Sequence, residues 1–274
     1  MFTFLAECLW EVRPSGERQQ NNASTMKRTM TLLSTLVAGT LSTQAAITIV
    51  HTYDLGEAST VIGGVPQDST GTTHFTNGIG GGMSVNTVGV GASGSTAYAS
   101  LSNQGVYGAD FSGFATDNFG IELWARTSDS DSIIFTTGNS GQFLDFQTTG
   151  GNWAASINGA SWVGGNNGAG QAFTANTWTH LALIRNNGTT TFYINGVAQS
   201  GTSNAAVTHS AGHLGVRPGD GRRYEGDIDS VRMFTFDPIN DDPVAALNTT
   251  AVPEPTSTAL LGLGGVALLL RRRK

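Results

Sequence analysis

Cysteine is almost missing from this chain: Cys8 is the only one, and it precedes the part that reads as the folded body. A body without disulfides must be held outside the cell by burial and by sheet ladders, and its size allows that. A cysteine-ligated metal site is excluded as well. Lysine is missing from the whole of 46–250. The basic residues there are Arg126, Arg185, Arg217, Arg222, Arg223 and Arg232, set against sixteen carboxylates, a formal charge of −10 where the whole chain has −6. Such a surface repels phosphate backbones, so nucleic acid is excluded as a partner. Divalent cations and neutral polymers suit it better.

Helical periodicity is also missing. No segment of ten or more residues holds it before the C-terminal tail, although Asp241–Leu247 has room for one turn. Short strand-like segments recur instead between clusters of Gly, Asn, Ser and Thr. They are Thr48–Tyr53, Thr96–Leu101, Phe119–Ala125, Ile133–Thr136, Gln142–Gln147, Trp153–Ile157, Thr179–Arg185, Thr190–Ile194 and Ile228–Phe236. In FGIELWA, Phe119, Ile121, Leu123 and Ala125 share one face and Gly120, Glu122 and Trp124 the other, the alternation of a half-buried strand. Asn187-Gly188 and Asn195-Gly196 are type I′ turn pairs, which accept positive φ at both central positions and match the twist of paired strands. They predict a three-strand meander over Trp178–Gln199. Many strands, glycine-rich turns and no helix predict an all-β fold: a two-sheet antiparallel jelly-roll sandwich, with one short C-terminal hydrophobic helix.

The two ends read as delivery labels. From Met26 the chain places Lys27 and Arg28 before an apolar centre, Leu32–Leu41, and then small residues, the order of a secretory signal peptide. Cleavage fits after Ala45, with Ala46 as the other choice. Residues 1–25 carry Glu7, Glu11 and Glu17 ahead of that signal and read as an overlong gene model, or else as an unusually long leader. At the other end Ser257–Leu270 is apolar, interrupted by Gly262, Gly264 and Gly265, and followed by Arg271, Arg272, Arg273 and Lys274. A bilayer core of about 30 Å takes about 20 apolar residues, so this span is marginal and serves as a temporary anchor with its basic end on the cytoplasmic side. The domain plan is therefore 1–25 extension, 26–45 signal, 46–240 body, 241–251 linker and 252–274 tail.

Three stretches, FGIELWARTS (119–128), NTWTHLALIRNNGTTTFYINGVAQSGT (176–202) and HLGVRPGDGRRYEGDIDSVRMFTF (213–236), resemble in order and spacing the laminin-G-like domains of the concanavalin A-like lectin/glucanase group. The resemblance implies a jelly roll whose members often, but not always, bind ligands. The tail resembles a PEP-CTERM sorting signal, with Val252, Pro253, Glu254 and Pro255 as the motif. That resemblance implies secretion machinery, transient inner-membrane insertion, and recognition and removal by an exosortase. The destination would be the cell envelope, outer surface or extracellular matrix, with extracellular polysaccharide as a partner. The other reading of the tail is a permanent single-pass anchor.

Chemistry is sparse. A glycosidase needs two carboxyl groups about 5–5.5 Å apart if retaining, or 6.5–9.5 Å if inverting. The best series here is Glu225-Gly226-Asp227-Ile228-Asp229, which the laminin-G resemblance assigns to a structural motif. Arg232 is a partner for Asp229. No Gly-x-Ser-x-Gly elbow and no phosphate loop is present. Thr127–Ser132 clusters oxygens without completing an EF-hand, so no cofactor is expected and calcium stays an open question. His180 reads as structural, and His51, His74, His209 and His213 lack ligand spacing.

Sugar binding would use aromatic faces with Asn and Asp on hydroxyls. Trp124 and Trp178 read as core. Trp162, among small polar residues with Asn166 close by, is the leading candidate on a loop, followed by Trp153 and Tyr224. The sequence therefore predicts a non-catalytic, glycan-binding envelope or matrix protein. A structural or adhesive matrix protein without a defined ligand site and a divergent glycoside hydrolase are the alternatives.

Overall fold

The computed structural model describes residues 47–250, apart from 58, 88–90, 93–94, 139–142 and 165–170. The cleavage site at Ala45 and Ala46, Asn166, and the sorting residues Val252–Pro255 and Arg271–Arg273 lie outside the described residues. No helix among the described residues is long and apolar enough to cross a membrane.

The described chain is all-β. Its strands open with β1 (Thr48–Tyr53), β2 (Val61–Ile62), β3 (Val65–Pro66), β4 (Asn77–Ile79), β5 (Ser84–Asn86) and β6 (Tyr98–Ser102). There follow β7 (Gly105–Asp110), β8 (Phe119–Thr127), β9 (Ser132–Thr136), β10 (Leu144–Thr149), β11 (Asn152–Ile157) and β12 (Ser161–Val163). The last are β13 (Thr179–Asn186), β14 (Thr189–Ile194), β15 (Val197–Ser203), β16 (Ala211–Leu214) and β17 (Glu225–Thr235). An eight-stranded antiparallel sheet runs β15-β14-β13-β8-β17-β6-β5, with β1 on β17, and a seven-stranded sheet runs β12-β11-β10-β9-β16-β7-β4.

The two sheets face one another across a shared core, the predicted sandwich. Ile121, Leu123, Leu181 and Phe192 come to it from the larger sheet, and Phe135, Phe146, Ala155 and Leu214 from the smaller. Phe146 and Phe192 meet edge to face across the gap, with ring centroids 6.2 Å apart. The meander forms as β13-β14-β15. Asn187 and Gly188 (φ 48° and 78°) and Asn195 and Gly196 (φ 50° and 76°) supply the left-handed pairs its turns need.

Two expectations are corrected. β8 is not half-buried: both of its faces are covered, because the chain after β17 lies over the outer face of the larger sheet. The segment read as a linker is that cover. Leu247 packs there with Ala182, Ile184, Phe234 and Phe236 in a second apolar cluster, and residues 243–246 form turns rather than a helix. The sequence pattern also passed over β2, β3, β4, β5, β7, β12 and β16, which are short or rich in Gly and Ser and carry little alternation of their own.

Candidate functional site

Strand register lines up one row of side chains across the outer face of the seven-stranded sheet, its middle members Ser156, Asp145, Thr136 and His213 buried. Trp162 on β12 pairs with Ser156 on β11, which pairs with Asp145 on β10. Asp145 pairs with Thr136 on β9, Thr136 with His213 on β16, His213 with Tyr107 on β7, and Tyr107 with Asn77 on β4. Paired residues share a face, and the neighbouring row, Val163, Ala155, Phe146, Phe135, Leu214 and Val106, lies in the core. Seven strands at about 4.8 Å give the row a length of about 29 Å.

Its centre is a closed polar network. Asp145 is fully buried. Its Oδ1 accepts from the Ser156 hydroxyl (2.6 Å) and amide (3.1 Å) and from Gln147 Nε2 (3.2 Å), and its Oδ2 accepts from Arg217 Nη1 (2.6 Å). Burial pushes the Asp145 carboxyl above the usual carboxylate range, while Ser156 and Arg217 pull the other way. Arg217 also pairs with Asp220, which binds Arg222 through Nη2 (2.8 Å). Arg222 Nη1 reaches Gln147 Oε1 and Asp131 Oδ1, each at 3.1 Å. The Arg222 guanidinium holds the Asp220 carboxyl far below its ordinary value. The loop 217–222 thus brings two cations onto this face of an otherwise acidic body.

Aromatic rings occupy the two ends of the row. Trp162, expected on a loop, is instead half-buried on the edge strand β12. At the far end Tyr107 stacks on His213, with centroids 6.2 Å apart and planes 13° from parallel. With Ile79, Val216 and Pro218 they line a cavity of about 220 Å³. Tyr107 keeps about a third of its surface exposed, whereas His213 is buried and its imidazole is pushed below the ordinary value. The sequence offered no signal for Tyr107: β7 lacks alternation, and its neighbours on the row come from strands distant in the chain.

The other sugar-stacking candidates are corrected. Trp153 is 1% exposed and packs on Phe173, and Tyr224 is 0% exposed with its hydroxyl on the carbonyls of Arg126 and Asp227. A ring with no exposed face gives a sugar nothing to stack on. Trp178, expected in the core, is half-buried, and the Arg126 guanidinium lies 4.6 Å from its centroid and from that of Tyr98.

The acidic series is occupied by structural bonds. Asp227 takes Arg126 Nε (2.8 Å) and the Ser100 hydroxyl (2.5 Å), and Asp229 takes the Ala92 amide (2.8 Å) and the Ser95 hydroxyl (2.5 Å). Glu225 is exposed at the strand end. Arg232 pairs with Glu122, not with Asp229. Glu122 also binds His180 Nε2 (2.8 Å) and the Asn248 amide (3.0 Å) through Oε2. That cluster, with Trp124 Nε1 on the Asn248 carbonyl (3.2 Å), fastens the C-terminal cover. Among the described residues no three His, Cys, Asp or Glu side chains converge as a metal site.

Residues 93–244 match the profile of the concanavalin A-like lectin/glucanases superfamily, and residues 251–274 match the PEP-CTERM protein-sorting motif. No curated protein sequence matches the chain. Among solved structures, domain 4 of the extracellular arabinanase AbnA of Geobacillus stearothermophilus, in complex with arabinotriose, is 22% identical with a TM-score of 0.53. The match covers 73% of this chain and 98% of that one. Trypanosoma rangeli sialidase in complex with the inhibitor DANA is 12% identical with a TM-score of 0.47, over 74% of this chain and 33% of that one. These likenesses concern the fold.

Proposed function

The chain belongs to the concanavalin A-like lectin/glucanases superfamily and carries a PEP-CTERM motif that sorts it, by an exosortase-dependent route, to the cell envelope or extracellular surface; from that premise we propose that its sandwich is a non-catalytic glycan-binding domain. The plan of signal 26–45, body 46–240 and tail 252–274 belongs to the same reading, with 241–250 now assigned to the body. Extracellular polysaccharide is the partner.

One observation carries the reading: the partly exposed Trp162 is in register with Ser156 and Asp145 on the outer face of the smaller sheet, where the Arg217 and Arg222 loop lies. An indole on an edge strand supplies an apolar face for a pyranose, and the partly exposed Arg222 and the exposed Asp131 of the adjoining network supply hydrogen bonds to hydroxyls. Tyr107 continues the same face at the other end. The arabinanase domain that shares this fold is in complex with arabinotriose, which is consistent with a saccharide lying on such a sandwich. The non-catalytic reading is supported by the acids of the β17 series and its neighbours: Asp227, Asp229, Glu122 and Asp145 are each committed to arginine, hydroxyl or amide partners, which leaves the exposed Glu225 as the acid of that series to test.

The test is sedimentation of the protein with insoluble polysaccharides and a glycan array, run for the wild type and Trp162→Ala. Binding that Trp162→Ala weakens at least tenfold is expected. No retention on any glycan, with Trp162→Ala behaving as the wild type, would favour a purely structural matrix protein, and retention unaffected by the substitution would take the site away from Trp162. Turnover of β-glucans abolished by Glu225→Gln would instead make it a hydrolase.

A further inference from the structure

A groove of about 530 Å³ opens on the opposite side of the molecule, away from Trp162. Its floor is the outer face of the β13-β14 hairpin, where Asn186 pairs with Thr189, Ile184 with Thr191 and Ala182 with Tyr193. Its wall is the Asp241–Val244 part of the C-terminal cover. The wall is fixed by its own bonds: Asp241 Oδ2 accepts from the Asp237 amide (2.7 Å), and Asp242 Oδ1 accepts from the amides of Val244 (3.0 Å) and Ala245 (3.1 Å). Pro243 is buried beneath. This is a formed concavity within the usual size of small-molecule sites, about 300–1,000 Å³.

The lining is selective in kind. It offers the amides of Asn186 and Asn187, the hydroxyls of Thr189, Thr191 and Tyr193, and the carboxylates of Asp241 and Asp242, with Ile184 and Val244 as apolar surface and no basic side chain. Oδ1 of Asp241 and Oδ2 of Asp242 take no hydrogen bond from the described residues. Two carboxylates without a cation repel phosphate, sulfate or uronate. Acceptors, amides and a half-buried tyrosine ring side by side match a ligand with many hydroxyls and an apolar ring face. The Tyr193 hydroxyl titrates above its ordinary range because of burial and the nearby Asp242 charge, which agrees with both groups facing one space.

We propose that this groove is a saccharide site for a neutral sugar, with Asp241 and Asp242 accepting from its hydroxyls, Asn186 and Asn187 donating and accepting beside them, and Tyr193 against its ring. The site lies on the eight-stranded sheet and the Trp162 row on the seven-stranded one, so it does not depend on that row binding anything. Were both occupied, a single domain would join two polymer strands.

Isothermal titration calorimetry of the full chain with neutral hexasaccharides of β-1,4-glucose, β-1,3-glucose, α-1,4-glucose and α-1,5-arabinose tests this. Binding by at least one probe is expected. It should weaken tenfold or more in Asn186→Ala and in Asp242→Asn, persist at reduced strength in Tyr193→Phe, and persist in Trp162→Ala and in excess chelator. Asn186 and Asp242 are exposed, so those variants keep the fold, and unchanged circular dichroism checks it. The proposal is overturned if none of the probes binds, or if binding ignores Asn186→Ala and Asp242→Asn. It is also overturned if binding vanishes with chelator, which would give the carboxylates to a cation. Loss of all binding in Trp162→Ala alone would overturn it and leave the row as the site.

Discussion

Arg217 lies across the face of the smaller sheet and puts Nη1 2.6 Å from Oδ2 of a fully buried Asp145, seventy-two residues earlier in the chain. The pair ties the loop after β16 to the start of β10, and every other oxygen contact of Asp145 comes from β10 or β11. Taking away one member of such a pair leaves a charge in a site that water does not reach.

Arg217→Ala should therefore destabilise the domain by about 3 kcal/mol at pH 7. The Asp145 carboxyl already sits above its unfolded value, so the folded state holds the proton more tightly. Its contribution to stability then falls as pH rises from the ordinary carboxylate range through the folded value. Losing Arg217 raises that value further, and the penalty should shrink as pH falls toward the ordinary carboxylate range, where more of the acid is neutral. Urea unfolding at pH 7 and in that range measures it, and Asp145→Asn combined with Arg217→Ala should recover part of the loss.

Glu122 is the clasp of the C-terminal cover, with Arg232, His180 and the Asn248 amide all bonded to it. Glu122→Gln removes the charge that Arg232 faces and should cost about 2–3 kcal/mol. Amide exchange at Asn248 should accelerate more than exchange in β10 or β11. Equal acceleration in both would mean that the cover is not separately fastened.

His209 lies between the rings of Phe114 and Phe119, 5.1 and 5.0 Å away, and burial pushes its imidazole down to about 4. Here the unfolded chain takes the proton first. Stability is thus full above about pH 6.5 and is lost as pH falls toward 4, by about 3 kcal/mol from this group. His209→Phe should reduce the dependence in that window, leaving the part that the buried His213 contributes in the same direction, seen as denaturation midpoints that move less between pH 6.5 and 4.5.

The two tryptophans first grouped together as sugar contacts should separate cleanly. Trp153→Ala empties a core position and should cost about 3–5 kcal/mol. Trp162→Ala, on a half-buried edge residue, should cost a fraction of that while carrying the glycan effect. Thermal melts of the two variants beside their polysaccharide binding decide it.

The sandwich, the meander and the sorting tail were legible in the residue order because each rests on local chemistry. Alternation sets the β8 core face, Asn-Gly pairs set the two turns, and a proline motif before an apolar run and four cations sets the tail. What strand pattern alone misplaced was the second face. Alternation through Asp227, Asp229 and Val231 puts all three on one side. A bulge with Ser230 at φ 50° turns Val231 into the core and Arg232 outward to Glu122.

Sequence by itself determined the fold class, the delivery and the acidic, disulfide-free body, because periodicity, turn conformers and charge are properties of short stretches. Tertiary structure alone decided which residues share a face. Trp162, Asp145, His213 and Tyr107 fall on one row through cross-strand register, and the Tyr193 groove exists because a segment that looked like a linker folds back across a distant hairpin. Register and burial are set by long-range pairing, to which single-strand patterns are blind.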